Sequence, residues 1–244
     1  MKDERADVLN NLGISYWKMK EYPLALAAYK DALEISRKLA RDNPKTYLTN
    51  VAQTLFNLAK LHMDINEYPQ ALKEYKDALE ICNKLAEDNL LPYMAAIYND
   101  LGFLYSNMDK DLQALEEYEK GLRIRRILAK ENPQEYEPFV AESLYYLANL
   151  HLHMYEFSKA LEESKEALEI YKKIAKDNPK VYLPAVAMTL NNLAISYLYG
   201  NSNKELSLRY ANEAITVCSK CNDTPSVREE LEKAKQIIEE WNNE

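Results

Sequence analysis

Apolar side chains return along the chain at the spacing of amphipathic helices. Between residues 26 and 40, Leu26, Tyr29 and Leu33 share one face of a helix with 3.6 residues per turn, and charged side chains occupy the opposite face. The same order of apolar and polar positions returns several times, and prolines or Asn-Pro pairs separate the copies. The pattern therefore predicts a series of amphipathic helices joined by short connections.

A five-residue block recurs five times. Its copies begin at residues 9, 55, 98, 144 and 190, so the successive steps are 46, 43, 46 and 46 residues. The first copy, residues 9–13, reads LNNLG, and the last, residues 190–194, reads LNNLA. Each copy is followed by a second helical stretch, so every repeat is expected to form two helices. The shorter step reflects a third junction that lacks three residues.

Small residues mark where the two helices of each repeat should cross. Two helices approach closely only where the crossing point carries little side chain. Such residues recur in three columns: Gly13, Ala59, Gly102, Ala148 and Ala194; Ala25, Ala71, Ala114, Ala160 and Ser207; and Ala32, Ala78, Gly121, Ala167 and Ala214. The columns predict five helical hairpins built on one packing pattern.

Prolines and asparagines mark the expected helix ends. Pro23 and Pro69 should open second helices, where the missing N–H costs nothing. The Asn-Pro pairs at 43–44, 132–133 and 178–179 should end them, with the asparagine in left-handed geometry. No proline is expected inside a helix.

The repeated residues resemble a known family. A pattern that recurs over about residues 5–219 resembles the consensus of the tetratricopeptide repeat. In the first repeat its residues are Leu12-Gly13, Tyr16, Ala25, Tyr29 and Ala32. The repeats are about 12 residues longer than the usual 34. This long form resembles the kinesin light chain subclass, most closely at residues 186–194. The resemblance implies an all-α fold, a right-handed α-solenoid of five tetratricopeptide-type helical hairpins plus a C-terminal capping helix.

One superhelical domain is expected over residues 1–244. The predicted repeats cover about residues 5–43, 44–89, 90–132, 133–178 and 179–221, and the capping helix covers about residues 224–242. The cap is predicted because Val227, Ala234 and Trp241 fall on one apolar stripe of an otherwise charged helix. No matching cap precedes the first repeat, so an uncovered N-terminal edge is predicted.

Composition argues against several classes of function. The chain has 4 glycines in 244 residues, where average usage would give about 17, which disfavours glycine-rich phosphate loops. A net charge of −8 leaves no cationic footprint for nucleic acid or an anionic membrane. No run approaches 18 apolar residues, so no membrane span is expected. Three cysteines without a disulfide pattern favour a cytoplasmic protein.

Candidate catalytic and metal-binding residues are few. His62 and His151 share a column with Tyr16, Tyr105 and Tyr197, so packing is the expected role of both histidines. Cys218 and Cys221 have the spacing of half a zinc site, but no second pair accompanies them. The Glu-x-x-His signature of di-iron bundles is missing. We therefore predict a protein that is not an enzyme and holds no cofactor or metal.

The resemblance implies a concave groove lined by the first helix of each hairpin. Amide side chains could bond both the N–H and the C=O of a peptide backbone, and aromatic side chains could supply pockets. The predicted peptide-binding residues are Asn10, Asn11, Trp17, Phe56, Asn57, Lys60, Asn99, Phe103, Tyr145, Asn149, Asn191 and Asn192. The prediction is a scaffold or adaptor that binds a protein or peptide segment.

Two alternatives remain open at the level of sequence. The chain could be a structural oligomerisation module that associates with itself through the uncapped N-terminal edge. It could also be the regulatory or sensor arm of a larger signalling protein. Neither alternative places catalytic chemistry in these residues.

Overall fold

Eleven α-helices follow one another in the computed structural model, which describes residues 2–85, 90–200 and 202–243, and no strand occurs within those ranges. The helices are α1 (Lys2–Lys18), α2 (Tyr22–Asp42), α3 (Pro44–Asp64), α4 (Tyr68–Leu85), α5 (Leu91–Asn107), α6 (Asp111–Glu131), α7 (Pro133–His153), α8 (Phe157–Ile174), α9 (Pro179–Ile195), α10 (Lys204–Cys218) and α11 (Pro225–Asn243). Each predicted repeat contains two of them, and α11 begins one residue after the expected start of the cap.

Asparagines before prolines form the junctions between repeats, but in a different geometry from the one expected. Asn43, Asn132 and Asn178 each precede the first residue of a helix, and their φ angles are −140°, −136° and −136°. These values are extended, not left-handed. The reason is the following proline, whose ring disfavours helical geometry in the residue before it.

Two prolines lie inside helices, contrary to the sequence prediction. Pro138 is in α7 and Pro184 is in α9, five residues after the proline that opens each helix. Pro92 occupies the same column of the repeat but is the second residue of α5. The longer junctions before α7 and α9 let these helices start a turn earlier, upstream of the column. Because the missing N–H lies near the helix start, the loss is confined to the first turns.

A residue with positive φ makes the turn between the two helices of each hairpin. These residues are Lys20 (61°), Asn66 (61°), Asp109 (54°), Tyr155 (61°) and Ser202 (46°). The next N–H then reaches back into the first helix: Glu67 donates to the His62 carbonyl at 2.7 Å, and Glu156 donates to the His151 carbonyl at 2.8 Å. Asparagine and aspartate tolerate this conformation, whereas Tyr155 is an uncommon choice.

The fifth hairpin contains one extra residue. Ala148 and Ala160 are 12 positions apart, whereas the equivalent Ala194 and Ser207 are 13 apart. Residues Ser196–Gly200 continue α9 as a π-helical segment, whose wider turn absorbs an inserted residue. Asn203 N–H consequently bonds the Tyr197 carbonyl, at 3.0 Å, across six residues instead of five.

The described helices group into two compact units, Met1–Met108 and Asp109–Glu244. In the first unit, Ala25, Tyr29, Leu58 and Leu61 form a buried cluster. Gly13 shows why its column must be small, because an added Cβ would lie 2.5 Å from ring carbons of Tyr29. Close approach of α1 and α2 therefore depends on this glycine.

In the second unit, α11 covers the last hairpin. Ile237 and Trp241 pack with Ala194, Leu198 and Ala211 of the fifth repeat. The most apolar helical stretch, Pro179–Gly200, has the length and mean hydropathy (1.3) of a membrane span, but 61% of it is buried within the fold. Its composition is accounted for by its place in the core between neighbouring helices.

Candidate peptide-binding surface

Amide side chains join the first helices of the first two hairpins. Asn57 Nδ2 on α3 donates to Asn10 Oδ1 on α1 at 3.0 Å, and Asn50 Nδ2 donates to Asp7 Oδ1 at 2.8 Å. A polar cavity of about 430 Å³ opens beside them, lined by Asp7, Asn10, Asn11, Asn50 and Gln53. Amides of neighbouring first helices therefore lie side by side in this unit, and part of their hydrogen-bonding capacity is used between the helices.

An aromatic and cationic cluster lies next to these amides. Lys60 Nζ is 5.5 Å from the ring centroid of Trp17 and 5.4 Å from that of Phe56, so two rings contact one ammonium group. Trp17 Nε1 donates to Asp64 Oδ2 at 2.6 Å, which holds the indole across α1 and α3. All three predicted residues are partly exposed.

Aromatic side chains of α4 and α5 pack against Phe56. Its ring centroid lies 6.0 Å from that of Tyr75 on α4 and 5.5 Å from that of Tyr93 on α5. Phe103 on α5 is 42% exposed, whereas Asn99, one turn earlier on the same helix, is buried. We call Asn11, Trp17, Phe56, Asn57, Lys60 and Phe103 the first groove surface.

In the second unit the predicted residues are more enclosed. Asn192 Nδ2 donates to Asn149 Oδ1 at 3.2 Å, and Asn149 Nδ2 donates to the Tyr145 carbonyl at 3.0 Å. Burial raises the pKa of the Tyr145 hydroxyl. Tyr145 and Asn149 stay partly exposed, and Asn192 is buried.

Asn191 does not face an open groove. It is 1% exposed, and its Nδ2 donates to both the backbone carbonyl (2.9 Å) and the Oε2 (2.8 Å) of Glu230 on the capping helix. Together with Asn10, Asn99 and Asn192, it belongs to the buried polar residues of the fold. Four of the predicted binding amides are thus buried, and interhelical hydrogen bonds use the side chains of three of them, Asn10, Asn191 and Asn192.

Two histidine–glutamate pairs, one buried and one partly buried, were missed by the sequence prediction. His62 Nδ1 lies 2.6 Å from Glu74 Oε2, and His151 Nδ1 lies 2.7 Å from Glu163 Oε2. Burial is the largest influence on the Glu163 carboxyl and raises its pKa. The signal was present in the sequence, since both histidines are followed by glutamate at the fifth and twelfth positions. Each pair joins the two helices of a hairpin.

A buried column on the second helices explains two of the cysteines. Equivalent positions hold Ser36, Cys82, Arg125, Tyr171 and Cys218, and all five are buried. Burial raises the pKa of Cys218 to about 11, so its thiol is protonated at neutral pH. Within the part of the chain that the structure describes, no three His, Cys, Asp or Glu side chains cluster in a way that could hold a metal ion.

Arg125 is the one cation in that column, and it is tied to the next helix. Its Nη1 donates to the Phe139 carbonyl and to Ser143 Oγ, both at 2.8 Å, and lies 3.0 Å from Glu142 Oε2. The guanidinium also stacks 5.5 Å from the Phe139 ring centroid. Arg125 therefore links α6 to α7.

Sequence comparison identifies the repeats. Profiles of the tetratricopeptide repeat match residues 6–39, 50–127 and 140–179, which together make up more than half of the chain. The chain is a tetratricopeptide repeat protein. The all-α class predicted for this tetratricopeptide repeat protein is confirmed. No curated protein sequence matches it.

Solved structures share its fold. BtubC (BKLC) from P. vanneervenii aligns over 90% of this chain and 91% of that one, at 21% identity and a TM-score of 0.61. A Podosopora anserina putative kinesin light chain with nearly identical TPR-like repeats aligns over 89% and 97%, at 17% identity and a TM-score of 0.68. A signal transduction ATPase from Pyrococcus horikoshii, which has a tetratricopeptide repeat sensor, aligns over 97% of this chain and 33% of that one, at 16% identity and a TM-score of 0.75. The predicted resemblance to kinesin light chain repeats is thus confirmed for the fold.

Proposed function

We propose that this tetratricopeptide repeat protein is a scaffold that binds a peptide segment of a partner protein on the first groove surface. The observation that supports this most strongly is the Trp17–Lys60–Phe56 cluster, in which two partly exposed rings lie beside one ammonium group and a contact from Tyr93 on α5 holds Phe56. Large aromatic side chains with fixed positions are typical anchors of protein interfaces. The proposal includes no catalytic step, and a cytoplasmic location stays a prediction.

The chemistry of the surface favours a peptide with apolar side chains. Phe56 and Phe103 offer apolar area, and the exposed amide of Asn11 can bond a peptide backbone. Lys60 is followed four residues later by Asp64, which carries the opposite charge and accepts the Trp17 hydrogen bond. Binding should therefore depend on shape and apolar contact, and moderate salt should change the affinity little.

The test begins with a peptide selected from a displayed random library against the parent protein. Phe56→Ala and Phe103→Ala should each weaken that peptide by about thirtyfold, the equivalent of roughly 2 kcal/mol, in isothermal titration. Phe139→Ala is the matched control, since Phe139 is an exposed phenylalanine of the second unit. Equal affinities for Phe56→Ala, Phe103→Ala and the parent would show that the ligand binds elsewhere.

Self-association is a second candidate, favoured by the exposure of α1. Leu12 is 39% exposed, whereas the equivalent leucines of the later repeats are at most 2% exposed: Leu58, Leu101, Leu147 and Leu193. Val8 is 63% exposed, although its column is otherwise buried. In the later repeats, part of the first helix packs against the second helix of the preceding hairpin, as α3 does against α2. A second copy of the chain could cover the same face of α1.

Light scattering tests this candidate. The parent should form a concentration-dependent dimer, and Val8→Lys with Leu12→Lys should abolish it because a charge would be buried in the interface. Leu112→Lys provides the control, as Leu112 is also an exposed apolar residue but lies on α6. A monomeric parent would rule out self-association through α1.

The third candidate, a regulatory or sensor arm of a larger protein, is supported only by a likeness of fold. The Pyrococcus horikoshii ATPase has a tetratricopeptide repeat sensor, and this chain spans one third of its length. At 16% identity the likeness shows the fold alone. A sensor role therefore stays a prediction.

A further inference from the structure

An open cleft lies between the second helices of the first two hairpins. It has a volume of about 810 Å³ and is bounded by α2 on one side and α4 on the other, with α3 beneath. Leu33, Leu58 and His62 line it together with polar and charged side chains. None of its lining residues belongs to the first groove surface, so the cleft is a separate feature of the first unit.

Four cations line the α2 wall. Lys30, Arg37, Lys38 and Arg41 fall on one face of the helix, at spacings of seven, eight and eleven residues from the first. All four are exposed. Among the residues that the structure describes, no carboxylate forms an ion pair or hydrogen bond with any of them. Their charges are therefore available to a ligand.

The equivalent cations of the second unit are neutralised internally. Arg126 on α6 lies 2.6 Å from Glu166 on α8, and Lys172 on α8 lies 2.5 Å from Glu213 on α10. These bridges connect consecutive second helices. Arg37 occupies the same column as Arg126, and Asp77 is equivalent to Glu166, but no bridge joins Arg37 to the Asp77 side chain within the described part of the first unit. The second unit thus has ion pairs between consecutive second helices, whereas the equivalent pair is not formed among the described residues of the first unit.

The facing wall competes weakly for these cations. Glu74 is buried, and its two carboxylate oxygens already accept bonds from His62 (2.6 Å) and Gln70 (2.8 Å). Glu34 and Glu67 are the other acidic groups of the lining. Glu67 lies 3.6 Å from His62 Nε2 and on the α4 side of the cleft. The α2 wall therefore presents four cations and one carboxylate, Glu34, to the cleft. The opposite side holds two carboxylates, the exposed Glu67 and the buried Glu74, and both oxygens of Glu74 are already bonded.

We propose that this cleft binds an acidic peptide segment in which carboxylates alternate with apolar side chains. Carboxylates would pair with Arg37, Arg41 and their lysine neighbours, and guanidinium groups can do so with two parallel hydrogen bonds. Apolar side chains would cover Leu33, the partly exposed leucine of the lining. This site is additional to the groove ligand, and it selects for charge where the groove selects for shape.

The test uses a short fluorescent peptide in which glutamate and leucine alternate, and a matched peptide in which lysine replaces glutamate. The parent protein should bind the acidic peptide and not the basic one, measured by fluorescence anisotropy. Raising the salt concentration from low to physiological should weaken binding, because the contacts are exposed ion pairs. Arg37→Glu with Arg41→Glu should weaken the acidic peptide at least about tenfold.

Matched variants separate this site from net charge and from the groove. Lys20→Glu with Lys45→Glu makes the same change of charge outside the cleft and should leave affinity within about twofold of the parent, since distant exposed charges are screened. Phe56→Ala, in the first groove surface, should also leave it unchanged. Equal weakening by both charge reversals, or no binding by the parent, would overturn the proposal. Circular dichroism confirms that each variant is folded.

Discussion

His62 Nδ1 and Glu74 Oε2 lie 2.6 Å apart inside the second hairpin, and both side chains are buried. The pair links α3 to α4, and Gln70 Nε2 occupies the other carboxylate oxygen of Glu74 at 2.8 Å. Such a network stabilises a structure only when every polar group is bonded. The same arrangement in His151 and Glu163 shows that it is a repeated element of the hairpins.

The first prediction concerns this pair. Glu74→Leu should lower the free energy of unfolding by about 1–3 kcal/mol, because it leaves the buried imidazole without its partner. Denaturant melts measure the change. Glu80→Leu is the control on the same helix; Glu80 is exposed, and its loss should cost at most about 0.5 kcal/mol. Equal melts for the two variants would mean that the histidine–glutamate bond contributes nothing.

The second prediction concerns Tyr29, whose buried hydroxyl has no hydrogen-bond partner among the described residues. The equivalent hydroxyl of Tyr75 donates to Asp100 Oδ2 at 3.1 Å. At the position of Asp100, α3 carries Asn57, whose amide is bonded to Asn10. Tyr29→Phe should therefore raise the free energy of unfolding by about 1 kcal/mol at neutral pH, because an unsatisfied polar group is removed. A lower stability would show that the hydroxyl is bonded in solution.

The same tyrosine gives the third prediction, a dependence on pH. Burial raises the pKa of Tyr29 from 10.0 to about 12. The unfolded chain would lose this proton first, so the stability is complete below pH 10 and falls as the pH rises toward 12. Over that interval the parent should lose up to about 3 kcal/mol relative to Tyr29→Phe. Melts of both proteins at pH 9 and pH 11 check this; parallel losses would contradict it.

The fourth prediction tests the small-residue columns. Ala167 has no exposed surface, and Leu at this position should overpack the crossing of α7 and α8 at a cost of about 1–3 kcal/mol. Glu169→Leu introduces the same side chain at an exposed position two residues away. If both variants have the same free energy of unfolding as the parent, the crossing does not need a small residue.

The architecture could be predicted from sequence because close helix crossings leave a periodic trace. Ala25 and Ala32 are completely buried, as their columns require. Leu12 shows the limit of that reasoning, since its column is a core column and yet Leu12 is 39% exposed. The extra residue of the fifth hairpin was also visible, as a 13-residue spacing from Ala194 to Ser207. The π-helical turn that accommodates this residue could not be predicted, because it depends on backbone geometry and not on the pattern of residue types.

The binding residues were harder to predict because an amide side chain serves a ligand and a neighbouring helix equally well. Asn11 and Asn10 are adjacent in sequence, yet Asn11 is exposed and Asn10 is bonded to Asn57. Sequence periodicity shows which face a residue occupies, but it does not show whether another side chain has already taken its hydrogen bonds. The two histidines are buried, as a packing role requires, but their glutamate partners twelve residues away were missed for the same reason.

The fifth prediction distinguishes the two kinds of asparagine. Asn191→Ala should lower the free energy of unfolding by about 2 kcal/mol, because the buried Glu230 loses the amide that bonds its carbonyl and carboxylate. Lys233 Nζ, at 2.8 Å from Glu230 Oε1, would remain as its partner and keep the loss from being larger. Asn11→Ala removes the same group from an exposed position and should stay within about 0.5 kcal/mol of the parent. Thermal and denaturant melts of the two variants decide the point. If Asn191→Ala proves as stable as Asn11→Ala, the capping helix is not anchored through Asn191, and this residue returns to the candidates for ligand binding.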